Sequence, residues 1–225
     1  AASDVYKRQD LKKLIDWAAK THQQAVQILP INDTTITHTW MDSYPYNSIS
    51  IYAFHPMYID LNQLGKMKDK EALAVFEARR QELNALPQID YEAVNNAKRA
   101  YLKVMFQQTG RKVLASDEFK RFFEENEHWL LPYAAFSYLR DLYGTPDFSQ
   151  WPEHTEYKAE EIAALCAPDS SCYEEIAFYY YTQYHLHIQL LDAGNYAREK
   201  GIIFKGDIPI GCLLYTSDAA DEGLG

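Results

Sequence analysis

The chain has 225 residues, a formal net charge of −10 and a hydrophobic share of 47%, which is typical of a folded globular domain. No apolar run approaches the ~20 residues that a bilayer-spanning helix needs, and no signal-peptide pattern opens the sequence. The acidic balance argues against nucleic-acid binding, because phosphate recognition needs clustered lysine and arginine. Three cysteines, Cys166, Cys172 and Cys212, cannot all pair with one another, which favours a reducing cytoplasm.

The two termini carry a signature of DNA preparation. The sequence begins with AASDVYKRQ, and CLLYTSDAADE runs from Cys212 to Glu222. One DNA element, read in opposite orientations, encodes AASDVYKRQ and CLLYTSDAA, and it resembles the transposase adapter used to fragment DNA for sequencing. We therefore predict that residues 1–9 and 212–225 are adapter-derived and exclude them from fold reasoning.

The remaining sequence opens with a predicted helix, a strand and a long loop. Apolar residues recur at spacings of three and four between Asp10 and Lys20, which predicts a helix. The run AVQILPI at 25–31 is typical of a strand buried on both faces of a parallel sheet. From Asn32 to Asn47 the chain is polar and rich in turn residues, and long loops after such strands often carry function.

Helical periodicity dominates the next part of the chain. The segments EALAVFEARRQEL, YEAVNNAKRAYLKVMFQQ, SDEFKRFFEENE and LLPYAAFSYLRDLYG each space apolar residues by three and four. We predict four helices, the third starting at Ser116 and the fourth carrying Pro132 in its first turn and ending at Gly144. After an irregular link, a further long helix is predicted from Cys172 to Gly201.

A second apolar strand is predicted at 202–210, where the sequence reads IIFKGDIPI. Two such strands separated by helices indicate an α/β fold with a parallel sheet. Asp207 interrupts this strand near its carboxyl end, which is where parallel α/β folds place their sites. A carboxylate there is costly unless it is paired, so two alternatives stay open: a binding site, or an ion pair with Lys205 on the same strand face.

Other polar groups give weaker signals. His185 and His187 stand two positions apart on the predicted helix and face different ways, which argues against a shared metal ion. Neither a Cys-x-x-Cys motif nor a glycine-rich phosphate loop occurs in the sequence. Several loop residues are compatible with ligand contact and equally with ordinary loop packing: Asp33, Asp42, Tyr44, Tyr46 and His55.

Four longer motifs, in this order, carry a family resemblance. They are ILPINDTT at 28–35, WMDSYPYNSISIYAFHPMYIDL at 40–61, WLLPYAAFSYLRDLYG at 129–144 and YYYTQYHLHIQLLDAGNYAREKGIIFKGDIPIG at 179–211. Together they resemble the amylomaltases, the 4-α-glucanotransferases of glycoside hydrolase family 77. The Asn-Asp-Thr-Thr and Asp-Ser-Tyr-Pro-Tyr forms resemble the longer disproportionating type, which works on maltose and glycogen-like glucans.

This resemblance implies an α/β fold, namely a fragment of a (β/α)8 TIM barrel with a large helical insertion between two early parallel strands. Residues 10–65 would form an early barrel strand and the substrate loop. Residues 66–171 would form the helical insertion, and residues 172–211 a barrel helix and strand.

The resemblance also implies a chemistry, retaining double displacement on maltose, maltodextrin or glycogen-like α-glucans. An aspartate attacks the anomeric carbon, a glutamate acts first as acid and then as base, and a sugar hydroxyl replaces water as acceptor. The family needs no metal or organic cofactor for this reaction. It places its catalytic carboxylates after the second strand, so we expect none in this chain and no transfer activity from it alone.

Substrate contacts can be carried over residue by residue. The family's substrate-site tyrosine follows a proline in the loop after an early strand, which matches Tyr46 after Pro45. Its first conserved aspartate lies in a Gly-Asp-x-Pro-Ile strand, which matches Asp207. The expected substrate-binding set is completed by Ser43, Pro45, His55 and Asp33. Because both strands are expected to be parallel neighbours, Tyr46 and Asp207 should meet at the same end of the sheet.

One rival belongs to another class of protein, a non-catalytic helical glucan-binding or scaffold protein. Its support is an aromatic content of 14%, which core packing explains more simply, and the missing catalytic carboxylates. An Arg-x-Asp strand followed by a glutamate-bearing strand in the parent gene would favour the enzyme. A true stop codon after Gly211 would favour the binder.

Overall fold

A computed structural model describes residues 8–209. The helices are α1 Arg8–Lys20, α2 Lys70–Asn84, α3 Tyr91–Leu114, α4 Asp117–Tyr143, α5 Ala159–Leu165 and α6 Tyr173–Glu199, and the strands are β1 Ala25–Gln27 and β2 Ile203–Lys205. The predicted adapter-derived ends lie outside the described residues, apart from Arg8 and Gln9 in the first turn of α1.

Polar side chains cap the amino ends of α2, α3 and α4, where backbone N–H groups lack partners within the helix. Asp69 accepts a hydrogen bond from the Ala72 amide at the start of α2, at 2.9 Å. Ser116 caps α4 in the same way, at 3.2 Å from the Phe119 amide. Gly144 ends α4 with a φ of 69°, a left-handed conformation that glycine adopts without steric cost. Both predicted ends of this helical stretch are therefore confirmed.

The prediction of two helices between these ends is wrong, because α4 runs unbroken from Asp117 to Tyr143 with Pro132 inside it. A proline within a helix removes one backbone hydrogen bond and costs roughly 3 kcal/mol. Trp129, Leu130 and Tyr133 flank the proline and are all buried in the main core. Burial of each such side chain contributes roughly 1.5–3 kcal/mol, so tertiary packing offsets the local cost.

The core lies around α6, which packs against α4, α3 and α1. Leu130 and Ile176 are fully buried between α4 and α6. Met105 and Tyr181 are fully buried in a second cluster that involves α3 and α6. Tyr180 is also buried in the first cluster, so aromatic side chains are central components of both cores.

Two buried glutamines of α6 hold the chain that returns from the loop after β1. The Gln183 amide accepts a hydrogen bond from the Phe54 N–H and donates one to the Phe54 carbonyl, each at 2.8 Å. Gln189 pairs in the same way with the backbone of Asp60, at 2.9 and 3.1 Å. Each amide satisfies a donor and an acceptor that burial would otherwise leave unpaired.

The two strands pair in parallel, as the sequence predicts. Ala25 lies opposite Ile203, and the register continues to the pair Gln27 and Lys205. Both strands are shorter than the predicted ranges, and the end of the second prediction at position 210 lies outside the described residues.

The prediction that the strands are buried on both faces is wrong for the described part of the chain. Ala25 and Gln27 are exposed in β1, and so are Ile203 and Lys205 in β2. The physical reason is the size of the sheet: within residues 8–209 it contains β1 and β2 alone, so neither strand has a second neighbour. No helix in this same range is both long and apolar enough to span a membrane.

Candidate substrate-binding site

The two residues matched to the family's substrate site meet at the carboxyl end of the strand pair. The Tyr46 hydroxyl donates a hydrogen bond to Asp207 Oδ2 at 2.9 Å, across 161 positions of sequence. Tyr46 lies in the loop that follows β1, and Asp207 lies two residues after β2. The parallel pairing brings both to the same end of the sheet. Their predicted meeting is therefore confirmed, and their contact with sugar stays a prediction.

The Asp207 carboxylate accepts two hydrogen bonds from the described part of the chain. Its Oδ1 atom accepts one hydrogen bond, from the Ile208 amide at 3.0 Å, and Oδ2 accepts one from Tyr46. A carboxylate can accept about four hydrogen bonds, so the donors within residues 8–209 use two of these acceptor positions. The hydrogen bond to Asp207 raises the pKa of the Tyr46 phenol. Within residues 8–209 the Asp207 carboxylate is paired with Tyr46 and Ile208 and forms no ion pair with Lys205, so the ion-pair alternative is not observed.

Asp42, four residues before Tyr46, forms hydrogen bonds with earlier residues of the same loop. The Thr37 amide lies 3.0 Å from both carboxylate oxygens of Asp42, and the Thr37 hydroxyl and His38 amide donate at 2.9 and 2.7 Å. The Tyr91 hydroxyl donates to the Asp42 carbonyl at 2.8 Å. Burial raises the pKa of the Asp42 carboxyl, against the hydrogen bonds from Thr37 and His38.

Asp33, a predicted sugar contact, lies in the interior with 1% of its surface exposed. One carboxylate oxygen accepts from the Thr35 amide and hydroxyl at 2.9 and 2.8 Å. The Tyr133 hydroxyl donates to the other at 2.6 Å. The structure does not bring Asp33 to the Tyr46–Asp207 pair, and it connects the base of the loop to α4 instead.

His55, another predicted sugar contact, is also buried and does not reach the pair. Its Nδ1 atom accepts a hydrogen bond from the Met57 amide at 2.9 Å, which assigns the proton of the neutral ring to Nε2. Nε2 then donates to the Tyr91 hydroxyl. Burial lowers the pKa of His55 to about 4, so the ring is neutral at pH 7.

An apolar cavity of about 780 Å³ lies beside the loop, next to the end of β1 and α6. Tyr46 and Asp207 are absent from its lining, so the polar pair and the apolar cavity are separate features. The other two predicted contacts, Ser43 and Pro45, face the cavity. The remaining lining includes Ile28, Leu29, Ile31, Leu186 and Leu190.

A partly buried ion cluster fixes the loop to the helices, and the sequence analysis missed it. His38 Nε2 lies 2.8 Å from Asp141 Oδ1, and Arg99 and Arg140 both pair with the same carboxylate. The Tyr179 hydroxyl donates to Asp141 Oδ2 at 2.5 Å. Burial alone would raise the pKa of Asp141, but the hydrogen bond from His38 and the charges of Arg140 and Arg99 hold it well below its usual range.

His185 is buried on α6 among aromatic rings. Its ring centroid lies 4.4 Å from that of Tyr181 and 5.4 Å from that of Tyr184. Neither ring nitrogen has a hydrogen-bond partner in the described part of the chain, and burial lowers the pKa of His185 to about 4. Within residues 8–209, no group of three or more histidine, cysteine, aspartate or glutamate residues is arranged to hold a metal ion.

Comparison with known proteins decides the family. A sequence profile described as 4-alpha-glucanotransferase, of glycoside hydrolase family 77, matches residues 6–221. This chain belongs to the 4-alpha-glucanotransferase family. The match confirms the resemblance carried by the four sequence motifs.

Individual relatives agree with this assignment. The chain is 42% identical over 207 residues to 4-alpha-glucanotransferase DPE2 of Oryza sativa subsp. japonica, covering 90% of this chain and 21% of that protein. It is 32% identical over 213 residues to the 4-alpha-glucanotransferase of Chlamydia muridarum, covering 94% of this chain and 38% of that protein. The chain therefore spans about a fifth to two fifths of the length of these relatives.

A solved structure supports the fold. The chain is similar to amylomaltase from Streptococcus agalactiae in complex with acarbose, with a TM-score of 0.70. The sequence identity is 24%, and the match covers 89% of this chain and 39% of that one. The common fold thus extends over about nine tenths of this chain.

Proposed function

We propose that this chain is part of a retaining 4-α-glucanotransferase that moves glucosyl or maltosyl units between α-1,4-glucans. The substrates would be maltose, maltodextrin or a glycogen-like glucan. The observation that carries the proposal is the hydrogen bond between Tyr46 and Asp207 at the carboxyl end of a parallel strand pair. Sites of parallel α/β folds lie at that end, and the chain belongs to a family named for this transfer.

The geometry suits the recognition of a sugar. The carboxylate oxygens of Asp207 accept hydroxyl hydrogens, and a hydrogen bond to a charged acceptor contributes about 1.5–3 kcal/mol. The Tyr46 ring offers an apolar face of the kind that packs against a sugar ring. The adjacent Tyr44 ring lies 5.5 Å from the Tyr46 ring and widens this aromatic surface. Tyr46 and Asp207 would therefore bind and orient the glucan while other residues perform the chemistry.

The bond-breaking groups are proposed to lie elsewhere in a longer protein. Family resemblance assigns the reaction to an aspartate nucleophile and a glutamate acid/base in strands that follow the Gly-Asp-x-Pro-Ile strand. A chain that lacks both groups should lose most of the rate enhancement. In this proposal residues 10–65 and 172–211 belong to the barrel, and residues 66–171 form the helical insertion.

Activity assays on the chain and on its longer parent test the proposal. Incubation of the 225-residue chain with maltose should release no glucose and form no longer glucans. The full-length protein from the parent gene should produce both. Transfer activity that follows the purified 225-residue chain, or its absence from the folded full-length protein, would contradict the proposal.

A further inference from the structure

The loop segment 43–48, which carries Tyr46, lies between two residues that hydrogen bonds hold in place, Asp42 and Ile49. On its carboxyl side, the Ile49 amide donates to the Asp33 carbonyl at 2.8 Å, and Asp33 is itself buried. On its amino side stands Asp42, which is 3% exposed and hydrogen-bonded to the preceding part of the loop. Ser48 is itself buried at the carboxyl end of the segment. Between it and Asp42, the hydrogen bonds within residues 8–209 are those from the Asn47 amide to the Tyr44 carbonyl and from the Tyr46 hydroxyl to Asp207, so the two ends set the path of the segment.

The Asp42 carboxylate is surrounded by hydrogen-bond donors. Two backbone amides, of Thr37 and His38, and one hydroxyl, of Thr37, all point at its oxygens. A carboxylate satisfies this arrangement because it accepts at both oxygens. The Thr37 amide lies 3.0 Å from both oxygens, so an asparagine in either orientation of its amide would place its NH2 group beside this N–H donor. The isosteric change should therefore remove the charge and weaken the hydrogen bonds that hold the loop.

The main chain of Asp42 is fixed from the helical side. Its carbonyl accepts hydrogen bonds from Tyr91 in α3 and from the Thr34 hydroxyl, at 2.8 and 2.5 Å. Tyr91 in turn receives a hydrogen bond from the buried His55 ring. Asp42, which precedes the segment, is thus held by its side chain and its carbonyl, and no hydrogen bond within residues 8–209 joins it to Tyr46 or Asp207.

We propose that Asp42 is a positioning residue, which sets the path of segment 43–48 so that the Tyr46 hydroxyl meets Asp207. The importance of this for glucan binding rests on the proposed function, but the positioning itself does not. Asp42 acts through the loop, and the observable consequence is the hydrogen bond of the Tyr46 phenol to a carboxylate.

The test observes Tyr46 directly in the 225-residue chain. Incorporation of 3-fluorotyrosine lowers the phenol pKa into a range where the protein stays folded, and each ring gives a fluorine NMR signal. Tyr46→Phe identifies the signal of Tyr46, and Asp207→Asn gives its titration without the carboxylate. We expect Asp42→Asn to lower the pKa of Tyr46 to the value in the Asp207→Asn variant, with the other signals unchanged.

Asp60→Asn is the matched control. Asp60 is fully buried and caps a short helical turn by accepting from the Asn62 amide at 3.1 Å. Its loss should lower the melting temperature as Asp42→Asn does, without moving the Tyr46 titration. An unchanged Tyr46 titration in folded Asp42→Asn would overturn the proposal, and so would an equal shift in Asp60→Asn.

A second variant covers the case in which Asp42→Asn does not fold. Tyr91→Phe removes one hydroxyl and with it the hydrogen bond to the Asp42 carbonyl. It should lower the pKa of Tyr46 part of the way toward the Asp207→Asn value. No change in this variant would also refute the proposal. Because the assay contains no glucan, its outcome is independent of whether the family activity is confirmed.

Discussion

Replacement of Asp141 by alanine should destabilise the fold more than the loss of an exposed ion pair would. The side chain of Arg140 is 3% exposed and that of Asp141 is 18% exposed, so the substitution leaves a guanidinium buried without its anion. Breaking a buried pair in this way costs about 3–5 kcal/mol. His38 and Arg99 also lose their partner, but their greater exposure reduces what each adds.

Urea unfolding and thermal melting measure this cost. For a domain of this size, about 3–5 kcal/mol corresponds to a melting temperature lower by roughly 6–20 °C. Glu82→Gln is the control, because the Arg79–Glu82 pair is 42% and 65% exposed and should contribute less than about 1 kcal/mol. If Asp141→Ala lowers the free energy of unfolding by less than about 1 kcal/mol, the reasoning is refuted, because the cluster then contributes no more than an exposed ion pair does.

The depressed pKa of Asp141 adds a pH dependence with a definite sign. The folded state holds this carboxyl ionised below the pKa of the unfolded chain, about 3.9. Its contribution is therefore present above that pH and is lost as pH falls toward the folded pKa. Asp141→Ala should show less loss of stability than the parent chain below about pH 4.

Two further predictions concern the candidate site and the buried histidines. In the full-length protein, Asp207→Asn should lower kcat/KM by roughly ten- to a hundred-fold. Tyr46→Phe should have a smaller effect, a loss of transition-state stabilisation of about 0.5–1.5 kcal/mol. Steady-state kinetics with maltose would measure both. Unchanged kinetics in the folded variants, with stability alone reduced, would assign both residues to loop packing. Burial lowers the pKa of His185 and His55 to about 4, so each destabilises the fold as pH falls below the unfolded value of about 6.5. His185→Phe should narrow the difference in unfolding free energy between pH 7 and pH 5 by about 2 kcal/mol, and no narrowing in urea titrations would contradict this.

The sequence predicted helix ends correctly where a single residue type determines them. Ser116 and Gly144 mark the ends of α4 because capping depends on the residue type at one position. The continuity of α4 through Pro132 depends on tertiary packing, which outweighs the propensity of a single residue. The exposed faces of the strands follow from the number of strands that pair, and strand composition does not carry that number.

The candidate site also has a part that the sequence predicts and a part that it does not. The meeting of Tyr46 and Asp207 was predictable because a parallel strand pair dictates which ends coincide. The Asp141 cluster was not, because its partner His38 lies 103 positions away and no periodicity connects the two. Asp33 and His55 have residue types that suit a sugar site, and their burial is a property of the folded chain alone.

The exposed strand pair predicts the solution behaviour of the isolated chain. Leu29, just after β1, is 61% exposed and Ile203, within β2, is 66% exposed. Unpaired strand edges beside apolar side chains favour association between copies, and a lysine on an edge opposes it. Ile203→Lys should therefore shift the chain toward monomer in sedimentation velocity over a concentration series. Leu142→Lys on helix α4, at 55% exposure, supplies an equal charge change away from the sheet and should leave association unaltered. If the two lysine substitutions reduce self-association equally, the cause is the change in net charge. If the unsubstituted chain is monomeric at every concentration, these strand edges do not associate.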